Sequence, residues 1–493
     1  MYGGWHTLRT GEQPQLDFLS NYGPLSYWLR TAALFIAREE AIGEVVLCTA
    51  GYTISFALLF HLMSRISRNR GVAFALLILG LIAMPRFYKF LVVLAPVLSL
   101  WSAWRMLERP GTIRAAGLGS TAAVALLFRH DYGFAALLTS ALALVLAGAP
   151  GGLAVRIRYS AVASASLLLV LGPWIAALAW NPGLGEHLRQ LWESSAGVAG
   201  GMALPHPLLG PATTATFWMF AVFYTVPFAT LVAAWSARSH GDAELGRCGV
   251  LLGISALVYL PQSAHRADIG HLLQVLTPSF AALAYVWRVA NAHVDTRLRS
   301  FAAVVLGAAA VAVISVAVQG GWTTLHPMAS TIATWRATAA LPRHLDAGAD
   351  HPAASRLVTA IRAITNCTTA DERVAVFPYH QQLAYFARRL MPLPAFEFAP
   401  GYFDAPLRQA NTIAGLEAAR PALILWNESF AFDGDPLRNP MRTHARVFAW
   451  LLDAYRPLGD IGGFAFYARP DRAEELRHCL AGTRAGPRLL PPM

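Results

Sequence analysis

Ser300 to Val318 reads SFAAVVLGAAAVAVISVAV, nineteen consecutive residues without a charged side chain. A run of that length is close to the roughly 20 residues that cross a bilayer as a helix. Its small residues favour tight helix packing in lipid. Directly after Val318 the pattern changes, with charged residues thickening and short apolar stretches alternating with amphipathic ones. The chain therefore divides near residue 320 into a membrane part and a water-soluble part.

Working back from that run, nine more apolar runs lie near 43–64, 71–84, 90–107, 116–128, 133–149, 159–180, 216–237, 248–262 and 271–287. Several fall short of a full crossing, so they are tilted, longer than their apolar stretch, or buried inside a bundle. Composition agrees with a membrane part. The 493 residues are 56% hydrophobic and 14% charged, against roughly 25% charged in an average soluble domain. A mean hydropathy of +0.44 argues further against a purely soluble enzyme. The expected fold is mainly α: a polytopic helical membrane bundle over 43–320, preceded by an external juxtamembrane segment, 1–42, and followed by an α/β domain, 321–493.

The net charge of +11 is uneven along the chain. Residues 1–320 carry 21 Lys+Arg and 13 Asp+Glu, and residues 321–493 carry 18 and 15. The basic excess therefore sits mostly in the connections between apolar runs, which is poor support for nucleic-acid binding. Alternate connections hold thirteen arginines, from Arg65 to Arg299, and the other set holds five cations: Arg86, Lys89, Arg129, Arg189 and Arg266. Positive residues stay cytoplasmic, so the first set faces the cytoplasm. The loop 181–215, both chain ends and the tail then face outside, which predicts a periplasmic tail. An external N-terminus without an apolar leader implies a further crossing upstream of Met1; the alternative is that the first run is not a full crossing.

In the tail, helices are expected over 352–364, 380–390, 406–419 and 443–455, and strands over 373–378 and 422–426. Gly462 and Gly463 between 457–461 and 464–468 signal a hairpin. No Gly-rich phosphate loop follows either early strand. Of four cysteines, Cys48 and Cys248 lie in apolar runs, and Cys367 and Cys479 lie in the tail with no metal spacing. In an oxidising compartment the latter two are able to pair; otherwise they are separate thiols.

Ionisable groups at the edges of apolar runs are costly and tend to mark sites. Four such clusters fall on the external side: Glu12 and Asp17 followed by Tyr22; Arg86 and Lys89; Arg129, His130 and Asp131; and His265, Arg266, Asp268 and His271. Each has a plain structural alternative. Arg129 with Asp131 and Arg266 with Asp268 read equally as self-neutralised turns, Arg86 and Lys89 as snorkelling cations, and Asp17 as a solvated acid. Together they suit transfer of a sugar from a polyprenyl phosphate. A carboxylate takes the acceptor proton, and arginines, whose planar fork matches phosphate, stabilise the departing phosphate.

The stretch Gly11-Glu12-Gln13-Pro14, Asp17-Phe18 and Tyr22-Gly23-Pro24-Leu25-Ser26-Tyr27-Trp28 resembles the external-loop motif of bacterial GT-C glycosyltransferases of the protein O-mannosyltransferase and lipid A aminoarabinose transferase kind. Arg129 to Gly133 and Gln262 to His271 resemble later external elements of that family. The resemblance implies a GT-C-like bundle with a C-terminal α/β periplasmic domain in a bacterial inner membrane. It also implies a first membrane helix with a leading acid just after it, both ahead of the segment from Gly11 to Trp28, matching the crossing expected upstream of Met1. Asp17 then becomes the candidate catalytic base or its orienter. Arg86, Lys89, Arg129 and Arg266 become candidate donor-phosphate ligands, and Glu12, Tyr22, His130, Asp131, His265, Asp268 and His271 candidate pocket residues. The 181–215 loop, with Trp192 and His206, is expected to close over the acceptor. The implied partners are membrane lipid, a polyprenyl-phosphate sugar and an envelope lipid, glycan or protein acceptor. No metal site is proposed, and dependence on a divalent ion stays open. The alternatives are a transporter, an inactive GT-C-like scaffold, or a polymerase or ligase that uses lipid-linked sugars.

Overall fold

The computed structural model describes residues 1–18, 20, 22–148, 152–181, 183–292, 296–319, 352–393, 398–401 and 404–482. The boundary expected at 320/321 lies outside them. All ten apolar runs are helical. Their helices are α3 (Ile42–Ser67), α4 (Arg70–Ile82), α5 (Leu91–Glu108), α6 (Thr112–Phe128), α7 (His130–Gly148), α8 (Gly152–Trp180), α10 (Thr214–Ser239), α11 (Ala243–Tyr259), the pair α13 (Ile269–Val275) and α14 (Thr277–Ala292), and α15 (Thr296–Gln319).

Seven spans among the described residues are long and apolar enough to cross a membrane, and α13 with α14 makes an eighth bent by 59°. The helices α4 and α6 are apolar but shorter, so the ten expected segments comprise eight candidate crossings and two short helices. Burial sorts them. Helix α5 is 72% buried at the centre of the bundle, whereas α8 is only 17% buried and presents most of its surface outward. Local chemistry sets several helix starts: the side chains of Asn69, Thr213, Asp242 and Asp268 accept backbone N–H groups of Val72, Thr216, Leu245 and His271, satisfying donors that a helix leaves orphaned.

Residues 1–42 contain two helices, α1 (Tyr2–Thr10) and α2 (Pro24–Ile36), the latter opened by a proline at its first position. Tyr2, Trp5, Phe18 and Leu34 share one apolar core with Ile361, Tyr385, Met391 and Phe466 of the tail. The Met391 N–H donates to the Tyr2 hydroxyl over 2.7 Å, and Tyr385 donates to the Glu39 carbonyl over 2.6 Å. The 181–215 connection, expected as a loop, holds an amphipathic helix, α9 (Leu184–Gly201).

The tail carries a four-stranded sheet of order β1-β2-β4-β3, where β1 is Val374–Phe377, β2 Leu423–Trp426, β3 Arg456–Ile461 and β4 Phe464–Ala468. The first two strands are parallel and the rest antiparallel. Both β1 and β2 are buried along their whole length, as strands covered on two faces should be. The helix expected over 380–390 is only Gln382–Phe386, and that over 443–455 breaks at His444 into Pro440–Thr443 and Ala445–Ala454. A last helix, Ala473–Gly482, was not anticipated. Cys367 and Cys479 form a disulfide.

Candidate functional site

Three of the four charged clusters converge at one end of the bundle. Between α4 and α5 the chain turns through Pro85, and the Tyr52 hydroxyl donates to the carbonyls of Pro85 and Arg86 at 3.2 and 3.0 Å. This anchors the backbone and leaves the Arg86 side chain exposed. Its Nη1 donates to the Tyr88 hydroxyl at 3.4 Å, and among the described residues Arg86 makes no ion pair. Lys89 donates to the Gln274 side-chain oxygen at 3.2 Å, which ties this turn to α13.

At the α6–α7 junction Arg129 stands in extended backbone. It forks onto Asp131, with Nε 2.7 Å from Oδ1 and Nη2 bonded to Oδ2, while Asp131 also accepts the Tyr132 N–H at 2.8 Å. The guanidinium lies 5.8 Å from the Tyr22 ring and 5.0 Å from the Tyr132 ring, within cation–π range. Tyr22 reaches this position because the Gly23 N–H donates to the Phe128 carbonyl at 2.6 Å. A Cβ on Gly23 would sit 2.2 Å from the Leu127 carbonyl oxygen, so only glycine allows that approach. Beside His130 lies His187 of α9, whose imidazole is held below its ordinary pKa by burial and by the neighbouring ring.

The fourth cluster is a network rather than a free patch. Asp268 caps α13, binds the His271 Nδ1 at 2.9 Å and accepts Arg266 Nε at 3.0 Å. Burial works to raise the Asp268 pKa, but the His271 hydrogen bonds and charge, aided by Arg266, win and hold it at about 2. Arg266 also pairs with Asp433 of the tail and points Nη1 at the Met202 sulfur, 3.4 Å away. Arg438 grips the same Asp433 at 2.9 Å and the Ala203 carbonyl at 2.6 Å. Of His265 the backbone is described, within the short helix α12 (Pro261–His265); its side chain is outside the described set.

The first cluster splits. Tyr22 joins Arg129, but Glu12 turns to His6 at 2.7 Å. Asp17 accepts the Gln13 N–H at 2.7 Å and stays exposed. No ion pair joins Asp17 to any of the four cations among the described residues. The Gln13 side chain takes the Trp28 indole N–H at 2.9 Å, and Trp28 packs edge-on to Trp174. The acid-bearing turn is therefore held against the rim of the bundle.

Helix α9 borders the same end. Trp192 is exposed on it, Glu193 pairs with Arg408 at 3.4 Å, and Gly197 abuts Gly401 so closely that a Cβ would lie 2.2 Å from that carbonyl oxygen. His206 packs edge-on to Phe220 and Tyr224. Met202, Gln274, Asp433 and Arg438 were missed by the sequence reading. Asp433 lies in Phe432-Asp433-Gly434-Asp435-Pro436, which signals a turn and nothing more. Among the described residues, no group of three His, Cys, Asp or Glu side chains is arranged to hold a metal.

No protein-family model matches this chain, and no curated protein matches it in sequence. Among solved structures, ArnT from Cupriavidus metallidurans bound to undecaprenyl phosphate superposes with a TM-score of 0.53 at 14% identity, over 95% of this chain and 92% of that one. The fold is that of ArnT. Its apo form gives a TM-score of 0.52 at the same identity and coverage. Likeness at this identity is likeness of architecture: a helical bundle with a C-terminal domain, the arrangement that the resemblance of Gly11 to Trp28 implies, is shared with the ArnT fold.

Proposed function

We propose that this chain is an integral membrane glycosyltransferase that takes a sugar from a polyprenyl-phosphate donor and places it on a lipid, glycan or protein acceptor of the cell envelope. The observation that carries this reading is the convergence of Arg86, Lys89, Arg129 and Arg266 at one end of an ArnT-like bundle, beside Tyr22 and the acidic turn that bears Asp17. The ArnT structure holds undecaprenyl phosphate, a lipid of the proposed donor class.

In the proposed reaction an acceptor hydroxyl attacks the anomeric carbon, the bond from that carbon to the phosphate oxygen breaks, and polyprenyl phosphate leaves. Asp17 takes the acceptor proton or orients the group that does. Arg86, which has no carboxylate partner among the described residues, and Lys89 meet the phosphate first. Arg129 and Arg266, already bridged to Asp131, Asp268 and Asp433, set the field of the pocket and engage the phosphate only by sharing those carboxylates. His130 and His271 shape its walls, while Glu12, bonded to His6, stands apart from it. The cytoplasmic excess of arginines and the Cys367–Cys479 disulfide support an inner-membrane protein with its tail on the periplasmic side.

The test is transfer of labelled sugar from undecaprenyl phosphate to envelope acceptors by the reconstituted full chain. Loss of a positioned base or of a preorganised cation costs about 10²- to 10³-fold, so Asp17→Asn and Arg86→Ala should each fall by that order. Full activity in both overturns the assignment. The pairing of Arg129 and Arg266 with carboxylates favours one second reading, an inactive GT-C-like scaffold. Absence of transfer with every polyprenyl-phosphate sugar offered, from protein that still binds the lipid, would support it.

A further inference from the structure

At the opposite end of the bundle from Arg86, Arg129 and Arg266, the ends of α3, α5, α11 and α14 line a half-open cavity of about 410 Å³. That is within the ~300–1,000 Å³ range of small-molecule sites. Its charges are unevenly committed. Glu108 is saturated: Arg65 grips it with two bonds of 3.0 Å, and the Trp104 indole N–H donates over 2.8 Å. Asp242 is occupied in capping α11 through the Leu245 N–H at 2.8 Å, and Glu244 is exposed to solvent.

Two cations are left over. Arg68, in a left-handed cap after α3, and the half-buried Arg288 of α14 line the same cavity, and neither makes an ion pair among the described residues. The Ser64 hydroxyl on the same wall is buried without a hydrogen-bond partner. The exposed Arg68 and the half-buried Arg288 put two like charges on one cavity, where they repel, and a bridging anion relieves that repulsion while receiving their forked donors.

We propose that this cavity is a binding site for a phosphate ester, clamped between Arg68 and Arg288 with Ser64 as a further donor. The ligand is either the headgroup of an anionic phospholipid or a soluble phosphate ester, which share this chemistry. The site is independent of the transferase reading, since none of its residues belongs to the proposed active centre.

The experiment uses the full chain in neutral maltoside micelles with two probes: glycerol 3-phosphate, followed by isothermal titration, and phosphatidylglycerol added to the micelles, followed by the rise in Tm. Binding of either one supports the site and names its source, provided Arg68→Gln weakens it about tenfold or more, as loss of one charge-assisted hydrogen bond should. Arg68 is exposed, so that variant tests the site even if Arg288→Gln fails to fold. Arg70→Gln, an exposed arginine two residues on and outside the cavity, should leave binding unchanged. Absence of binding by both probes, indifference to Arg68→Gln, or an equal loss in Arg70→Gln overturns the proposal.

Discussion

Tyr132 of α7 donates its hydroxyl to the backbone carbonyl of Gln274 in α13 at 3.0 Å, and the same Gln274 accepts Lys89 through its side chain. One residue thus joins the α6–α7 junction, the broken α13–α14 element and the turn before α5. Around the α13–α14 break carbonyls go without helical donors, that of Gln274 because Pro278, four residues on, has no N–H to give. A buried hydroxyl from a neighbouring helix satisfies one of them, as membrane interiors require.

Tyr132→Phe removes that donor and leaves a buried carbonyl short of a partner, at a cost of about 1–3 kcal/mol. Thermal unfolding of the detergent-solubilised protein should register a lower Tm, and an unchanged Tm would mean the bond is replaced by another donor.

Arg266 and Asp433 are 17% and 20% exposed in their side chains, so their pairing should be energetically coupled. A double-mutant cycle of Arg266→Gln with Asp433→Asn is expected to give about 1–3 kcal/mol of interaction, read from Tm or from proteolysis of the tail. Strictly additive effects would show that Asp268 and Arg438 carry the contact instead.

Gly23→Ala tests the approach of the 11–28 segment to the α6–α7 junction. The added methyl meets the Leu127 carbonyl oxygen, so Tyr22 should withdraw from Arg129 and transfer should drop by at least about tenfold, the factor that 1.4 kcal/mol of misplacement represents. Wild-type turnover in this variant would dissociate the segment from the site.

His444 is fully buried between two helices of the tail, bonded on one side to Thr443 at 2.9 Å. Burial lowers its pKa to about 4, with Asp404 opposing. The unfolded imidazole titrates near 6.5, so between those values the unfolded chain binds a proton that the folded one refuses. Stability present above pH 6.5 should therefore drain away as pH falls to 4, by up to about 3 kcal/mol. His444→Gln should flatten that slope in near-ultraviolet circular dichroism of the full chain; an equally steep slope would assign it to other groups.

The Cys367–Cys479 disulfide spans 112 residues, and removing such a link typically costs 2–5 kcal/mol. Reductant, or the Cys367→Ala variant, should lower the Tm of the tail and expose a thiol to maleimide. An identical Tm in oxidised and reduced protein would contradict it.

Much of this architecture was legible because hydropathy is a local property. Each of the ten apolar runs became a helix, and the hairpin at Gly462-Gly463 lies between β3 and β4 as its turn residues implied. The helix of Tyr2–Thr10 was not legible, since Gly3 and Gly4 weaken any helical signal and its stabilisation comes from Trp5 and Tyr2 packing on the tail. The four charged clusters were visible as expensive residues at apolar edges. Their regrouping was not: Glu12 went to His6, Asp17 to the Gln13 amide, and Tyr22 to Arg129.

The amino-acid order alone decided that this is a polytopic helical bundle followed by a tail of alternating strands and helices, because hydropathy adds up residue by residue along the chain. Only the tertiary structure decided that the opening helices belong to the tail's core and that the sheet runs β1-β2-β4-β3. It also decided that Arg266 is answered by Asp433, 167 residues away. Strand pairing and ion pairing across such separations depend on how preformed elements dock, and docking is governed by shape and desolvation at surfaces that no short stretch of sequence contains.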